Sequence, residues 1–185
     1  MKRGILFAAL LALLGSATVS CRRAPDPKEI ATVDSLITAM HAARLTLNEF
    51  DTMSYATADS ILDADRARFL ERFQDTLNKA EATVLGEQFI QLREAHRRAM
   101  DHAQVLKAVD DAHARSSRLR DDLLNGALKV EQAHQALLNE RAAARGIESS
   151  VLQVIEHHRA NQRALDRQPL VDSLLAITPI DPSKR

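Results

Sequence analysis

The sequence predicts an all-α fold, an antiparallel bundle of about four main helices that follows a cleaved signal peptide. Proline is absent from Lys28 through Gln168, and only Gly86, Gly126 and Gly146 interrupt a stretch dominated by Ala, Leu, Glu, Gln, Arg and Lys. Strong helix formers without breakers over such a length favour helix throughout. Apolar residues also recur on a helical period. Ile30, Val33, Ile37, Met40, Arg44 and Leu47 are spaced by alternating threes and fours with one polar intruder, and Leu85, Phe89, Leu92, His96, Ala99, Ala103 and Leu106 form a second such stripe. No window alternates with period two, so strands find no support. A single straight helix would run about 210 Å at ~1.5 Å per residue, so the chain has to fold back on itself.

Residues 1–20 carry Lys2 and Arg3, an apolar run from Ile5 to Leu14, and the small residues Gly15 to Ser20. A charged start, a short apolar run and a small-residue exit make a secretory signal, too short to span a bilayer as a stable helix. The residues Thr18-Val19-Ser20-Cys21 resemble a bacterial lipobox, with threonine where leucine is usual. The resemblance covers residues 1–21 and is to small helical lipoproteins of bacterial envelopes. It implies cleavage before Cys21, a thioether-linked diacylglycerol on its sulfur and a third acyl chain, palmitate-like, on its new amino group. The competing reading is an ordinary secreted protein cut after Ala17 or Ser20, with Cys21 a stray thiol. Residues 21–27 then form a tether in which Pro25 and Pro27 disfavour helix, with a reach of at most about 20 Å at ~3.5 Å per residue. Each buried methylene of the anchor contributes ~0.8 kcal/mol, so two or three acyl chains hold the domain on its membrane.

Within residues 28–168, the bundle proper, the expected breaks are weakly marked. Asp51 to Asp59 is rich in Ser, Thr and Asp, and Thr57 or Asp59 suits a helix cap; Asp75 to Asn78 is another candidate. Asn125-Gly126 is the clearest turn dipeptide. Arg145-Gly146 reads as helix interior, because Ile147, Val151, Val154 and Ile155 resume the apolar pattern at once. Residues 169–185 contain Pro169, Pro179 and Pro182 and are expected to hold one short helical turn near Leu170–Ala176 and a loose tail. With aromatic residues at 3%, the core has to be built from aliphatic side chains, with Phe50, Phe69, Phe73 and Phe89 as bulky exceptions, and such a core encloses no large cavity.

Composition excludes several function classes. Lys and Arg number 25 against 25 Asp and Glu, and removing Lys2 and Arg3 with the signal leaves 23 against 25, a charge near −2. That balance offers no grip on nucleic acid or on anionic lipid. One cysteine rules out an internal disulfide and any multi-cysteine zinc site. There is no GxSxG, Gly-rich phosphate loop or HExxH.

The sharpest chemical candidate is a pair of acid-x-x-His motifs, Asp110 with His113 and Glu131 with His134. Carboxylate-bridged di-metal bundles use two such pairs plus a carboxylate from each of two other helices, for which Glu49, Glu71, Glu81 or Glu94 would be available. A turn at Asn125-Gly126 places the two pairs at levels differing by roughly 10 Å, too far for a shared metal pair. His96 and Met100, or Met40 and His41, offer copper-type donors, although His96 within an apolar stripe reads better as a packed core residue. His157 and His158 point about 100° apart and read as a solvated face. No catalytic residue, metal ligand or cofactor is expected. The reading is a membrane-anchored, non-catalytic binding or structural module facing the periplasm or the cell surface. Its partner would be a protein, or a second copy met through faces flanking Leu137 and Val151. The alternatives are a metal-binding, ferritin-like bundle and a periplasmic chaperone or stress sensor. For the latter the repeated Leu-Thr-x-x-Gln signature is missing, and Leu45-Thr46-Leu47-Asn48-Glu49 is the nearest approach.

Overall fold

The computed structural model describes residues 23–75 and 77–176. Cys21 and the rest of the signal, Thr76 and the expected loose tail from residue 177 lie outside these residues. Among the described residues there are five helices and no strand: α1 (Pro27–Asn48), α2 (Met53–Phe73), α3 (Lys79–Arg93), α4 (Ala95–Leu124) and α5 (Val130–Leu175). The fold is the expected antiparallel helical bundle.

Its organisation is simpler than five helices suggest. α1 packs on α4 and α5, while α2 packs on α3, α5 and the start of α4. Helices α1 and α2 therefore follow one another along the bundle, as do α3 and α4, and α5 runs beside both. Cross-links fix the register from end to end. Arg72 reaches Glu81 (3.6 Å) near the α2–α3 turn, Arg44 reaches Asp110 (3.4 Å), and Arg120 reaches Asp34 (2.6 Å) at the far end. Arg167–Glu87 (3.0 Å) and Arg115–Glu140 (3.1 Å) align α5 antiparallel to α3 and α4 in the same way. The result is three rods, up, down and up. The rod formed by α5 alone has 46 residues and runs about 70 Å at ~1.5 Å per residue.

Each break has a local cause. Between α1 and α2 the Asp51 carboxylate accepts from the Met53 N–H (3.0 Å) and the Ser54 hydroxyl donates to the Asp51 carbonyl (2.7 Å). The expected caps Thr57 and Asp59 lie inside α2, where the Thr57 hydroxyl donates to the Met53 carbonyl; the helix starts a turn and more earlier because Asp51 already takes the first free N–H. Asn78, in the second expected break, forms a full capping box with Glu81. Asp26 caps α1 and Pro27 is its first residue, so the tether gives up its last residue to the helix and the one before it to the cap. The Asn125-Gly126 turn is present, with Gly126 at φ 61°, a conformation that only glycine adopts without strain.

Two departures concern continuity. The expected short turn after Pro169 is not separate: α5 runs through Pro169 to Leu175. Proline in a helix interior forfeits a backbone hydrogen bond. Here the segment is held instead by fully buried Val171 and by Gln168, whose amide donates to Asp65 (3.1 Å) and Asp172 (2.9 Å). The second departure is the Leu85–Leu106 stripe, which does not continue on one face. Leu85, Gln88, Leu92, Ala95, Arg98 and His102 are buried, whereas His96 and Ala103 are exposed. The inward repeat takes two consecutive steps of three at Leu92, Ala95 and Arg98, one residue short of a regular pattern. The helix resets there, at Glu94, which splits α3 from α4.

Three aliphatic clusters stack along the axis. One holds Val33, Leu119, Leu123, Ala133 and Leu137, the next Met40, Leu47, Val109, Ala112, Val151 and Val154, and the last Leu62, Phe69, Leu85, Leu92 and Val171. Read-through at Gly146 holds as expected, and it leads to a test. A Cβ at Gly146 or Gly86 would meet nothing within 4 Å, while glycine in a helix interior is destabilising by about 0.5–1 kcal/mol relative to alanine. Gly86→Ala and Gly146→Ala should each raise stability by about that amount in urea titrations, with the denaturant slope unchanged.

Candidate functional site

Two features stand out from the regular packing: a polar, aromatic layer at the waist of the bundle and an apolar groove along one seam.

The waist lies between the second and third aliphatic clusters, where the first rod is broken. Phe50, in the α1–α2 connection, stacks on His158 of α5 (4.5 Å between ring centroids) and meets the edge of His102 of α4 (5.9 Å). Tyr55, at the start of α2, stands edge-on to both His102 (6.1 Å) and His158 (6.0 Å). Tyr55 is 2% exposed and His102 3%. The break itself feeds this layer: the His102 Nε2–H donates to the Leu47 carbonyl (3.1 Å) near the end of α1, so Nε2 carries the proton and Nδ1 is the free acceptor. Asn161 of α5 donates to the Ser54 hydroxyl (3.1 Å). Arg98, also buried, donates to the Gln91 side chain (2.6 Å) and faces Tyr55.

Burial dominates the electrostatics of this layer. It lowers the pKa of His102, against the opposing hydrogen bond to Leu47, and it lowers His157 and His158 as well. Arg98 pushes His157 further down while Asp101, 3.8 Å away, pulls it up. The Arg98 guanidinium is lowered and the Tyr55 hydroxyl raised by the same desolvation. His157 and His158 are therefore not a solvated face, contrary to the expectation from their spacing. Both are half-buried, because the inward arc of α5 is wide enough at this level to draw in neighbouring residues. Sequence reasoning also missed His102 and Tyr55; the signal was the run Ala95, Arg98, His102, Val105, Val109, Ala112, Ser116, Leu119, Leu123, a regular three-four repeat once polar members are admitted.

The metal candidates are dispersed. With Arg115 opposite Glu140, His113 and His134 stand about eight residues apart in level, roughly 12 Å at ~1.5 Å per residue. Asp110 pairs with Arg44, Glu94 with Arg97 (2.7 Å), and Glu81 belongs to its capping box; Glu49 and Glu71 are exposed. His96 is exposed rather than packed, since the stripe that contained it resets at Glu94, and Met100 beside it is exposed too. Met40 is buried while His41 points outward. Among the described residues no group of three or more His, Cys, Asp or Glu side chains is placed to hold a metal ion.

The second feature is a groove of about 700 Å³ between α1 and α5. Leu36, Ala39, Ala42 and Ala43 form one wall, and Leu138, Ala144 and Leu152 the other. The alanines fail to fill the seam, so the leucines stay partly in water: Leu138 is 44% exposed and Leu152 59%. Arg141, Arg145 and Glu148 line its α5 edge. This groove is open at the surface rather than enclosed. Among the described residues no helix is long and apolar enough to cross a membrane. The chain matches no family model, no curated protein and no solved structure.

Proposed function

We propose that this chain is a lipid-anchored bacterial envelope protein whose bundle is a non-catalytic binding module. The observation that carries the binding half is the α1–α5 groove, an apolar surface strip walled by alanines and half-exposed leucines. Isolated exposed leucines are ordinary, but apolar side chains gathered along one groove mark a contact surface. At the waist the His102 Nε2–H and the Asn161 amide bond within the bundle, while the buried Tyr55 hydroxyl has no hydrogen-bond partner among the described residues. The anchoring half rests on Lys2, Arg3, the apolar run and Cys21 after its small residues. In this reading Cys21 carries the lipid, and the short tether holds the start of α1 near the membrane, with Arg23 paired to Glu29 (2.9 Å).

Detergent phase separation tests the anchor. The wild-type protein should partition into the detergent phase with an N-terminal peptide heavier by its acyl groups, and Cys21→Ser should appear in the aqueous phase or remain unprocessed. A wild-type product found in the aqueous phase, with an N-terminus other than Cys21, overturns this half of the proposal.

A further inference from the structure

We infer that the α1–α5 groove receives one amphipathic helix of a partner protein, with carboxylates flanking its apolar face. The inference rests on the binding-module reading and names the chemistry of its partner. The groove follows α5 from Leu138 to Leu152, about 21 Å at ~1.5 Å per residue, which matches four turns of a helix. A fourth helix laid in the seam of a three-rod bundle meets Leu138 and Leu152 with its own apolar face, and the alanine wall at Ala39 and Ala42 lets its backbone come close.

Charge selects among occupants. Arg141 and Arg145 stand one helical turn apart on the edge of the groove. Arg141 donates only to the neutral Thr32 hydroxyl (3.2 Å), and neither guanidinium has a carboxylate within ion-pair distance among the described residues. Elsewhere on this bundle arginines are commonly paired, as Arg44, Arg115, Arg120 and Arg167 are. With Glu148 the edge has a net positive charge, complementary to an acidic flank. A second copy laid with its α5 against this α5 would bring the same arginines against each other. An acyl chain would leave one flank wet, because the groove is open to solvent along its length, whereas small-molecule sites enclose most of their ligand. A helix covers the groove with its own outer face.

The test uses the full chain and two fluorescent synthetic helices. Both carry leucines at i, i+3, i+4 and i+7; one has glutamates flanking this face and the other lysines. The acidic peptide should bind at least tenfold more tightly than the basic one. Arg141→Glu with Arg145→Glu should reverse that order. Ala39→Trp and Ala42→Trp, at exposed positions where the fold has room for the ring, should each weaken acidic-peptide binding tenfold or more while leaving the thermal melt unchanged. Equal binding of both peptides, or no binding of either, overturns the inference. Binding of the acidic peptide that ignores both tryptophans places it on another face, so the groove assignment falls while the binding-module reading stands. Displacement of the acidic peptide by palmitate, or a dimer that Leu138→Ser converts to a monomer, assigns the groove to a lipid or to a second copy and likewise overturns the helix assignment.

Discussion

Phe69→Ala should destabilise the bundle by about 3–5 kcal/mol, the largest loss expected of any single truncation in this chain. Phe69 is fully buried in the cluster with Leu62, Leu85, Leu92 and Val171, and its ring meets Phe89 (5.6 Å) and Phe73 (6.1 Å). Removing it takes away the transfer free energy of a benzyl group and opens a cavity that three rods of fixed register cannot collapse into. The neighbouring α2–α3 end resists relaxation, because Arg72 is held by Asp75 and Glu81 and Gln88 by the Ala164 carbonyl (2.9 Å). For a domain of this size each kcal/mol lowers the melting temperature by about 2–4 °C, so a drop of roughly 6–20 °C is expected by calorimetry. Phe89→Ala should cost less, since Phe89 is only partly buried at the edge of the same cluster. A melt of Phe69→Ala within 2 °C of wild type would show that this end of the bundle is not packed as described.

The contrast between the two phenylalanines shows what the sequence carried and what it did not. Helix content was legible in the absence of proline and the dominance of helix formers, and the α1 stripe from Ile30 to Leu47 was read correctly, with Arg44 turning outward as the one polar member. The number of rods was not legible, because a break inside a rod and a turn between rods leave similar local marks. Asp51 and Ser54 interrupt a helix that continues in the same direction, while Asn78 and Gly126 begin reversals; only long-range partners such as Arg44–Asp110 tell them apart. The stripe through His96 failed for a related reason: one residue is missing from the repeat at Glu94, and an uninterrupted three-four count then carries His96 and Ala103 to the wrong face. The waist was hidden because its members are polar. A search for apolar period passes over Arg98, His102 and Asn161, although each occupies an inward position. The groove was not legible, because its depth depends on which alanines of α1 lie opposite Leu138 and Leu152, and pairing of that kind is a tertiary fact.

The waist should make the bundle lose stability as pH falls from 7.5 to 5. Burial lowers the pKa of His102, His157 and His158 in the folded state. In the unfolded chain these rings titrate near the ordinary value of about 6.5. Below that value the unfolded state binds more protons than the folded one, so stability rises with pH across the window and is lost as pH drops through it. The groups around the rings do not reverse this sign. Asp51 favours the charged form of His158, and Asp101 and Glu94 that of His157, but Arg98 and Arg97 oppose the latter and burial outweighs them. The depressed carboxylates Glu94 and Asp111 act in a lower window, below about 4.5, and so do not contribute between pH 5 and 7.5. Charging His102 is the costliest step, because its ring lies between Phe50 and Tyr55 with only the Leu47 carbonyl as partner among the described residues. His102→Gln keeps a donor for that carbonyl and removes the titration. Wild-type protein should therefore melt several degrees lower at pH 5 than at pH 7.5, and His102→Gln should narrow the gap even if it melts lower than wild type at pH 7.5. Equal melting temperatures for the wild type at the two pH values would mean that the histidines are not desolvated as the packing implies. A gap that His102→Gln leaves unchanged would move its origin to His157 and His158, where the double glutamine variant should then remove it.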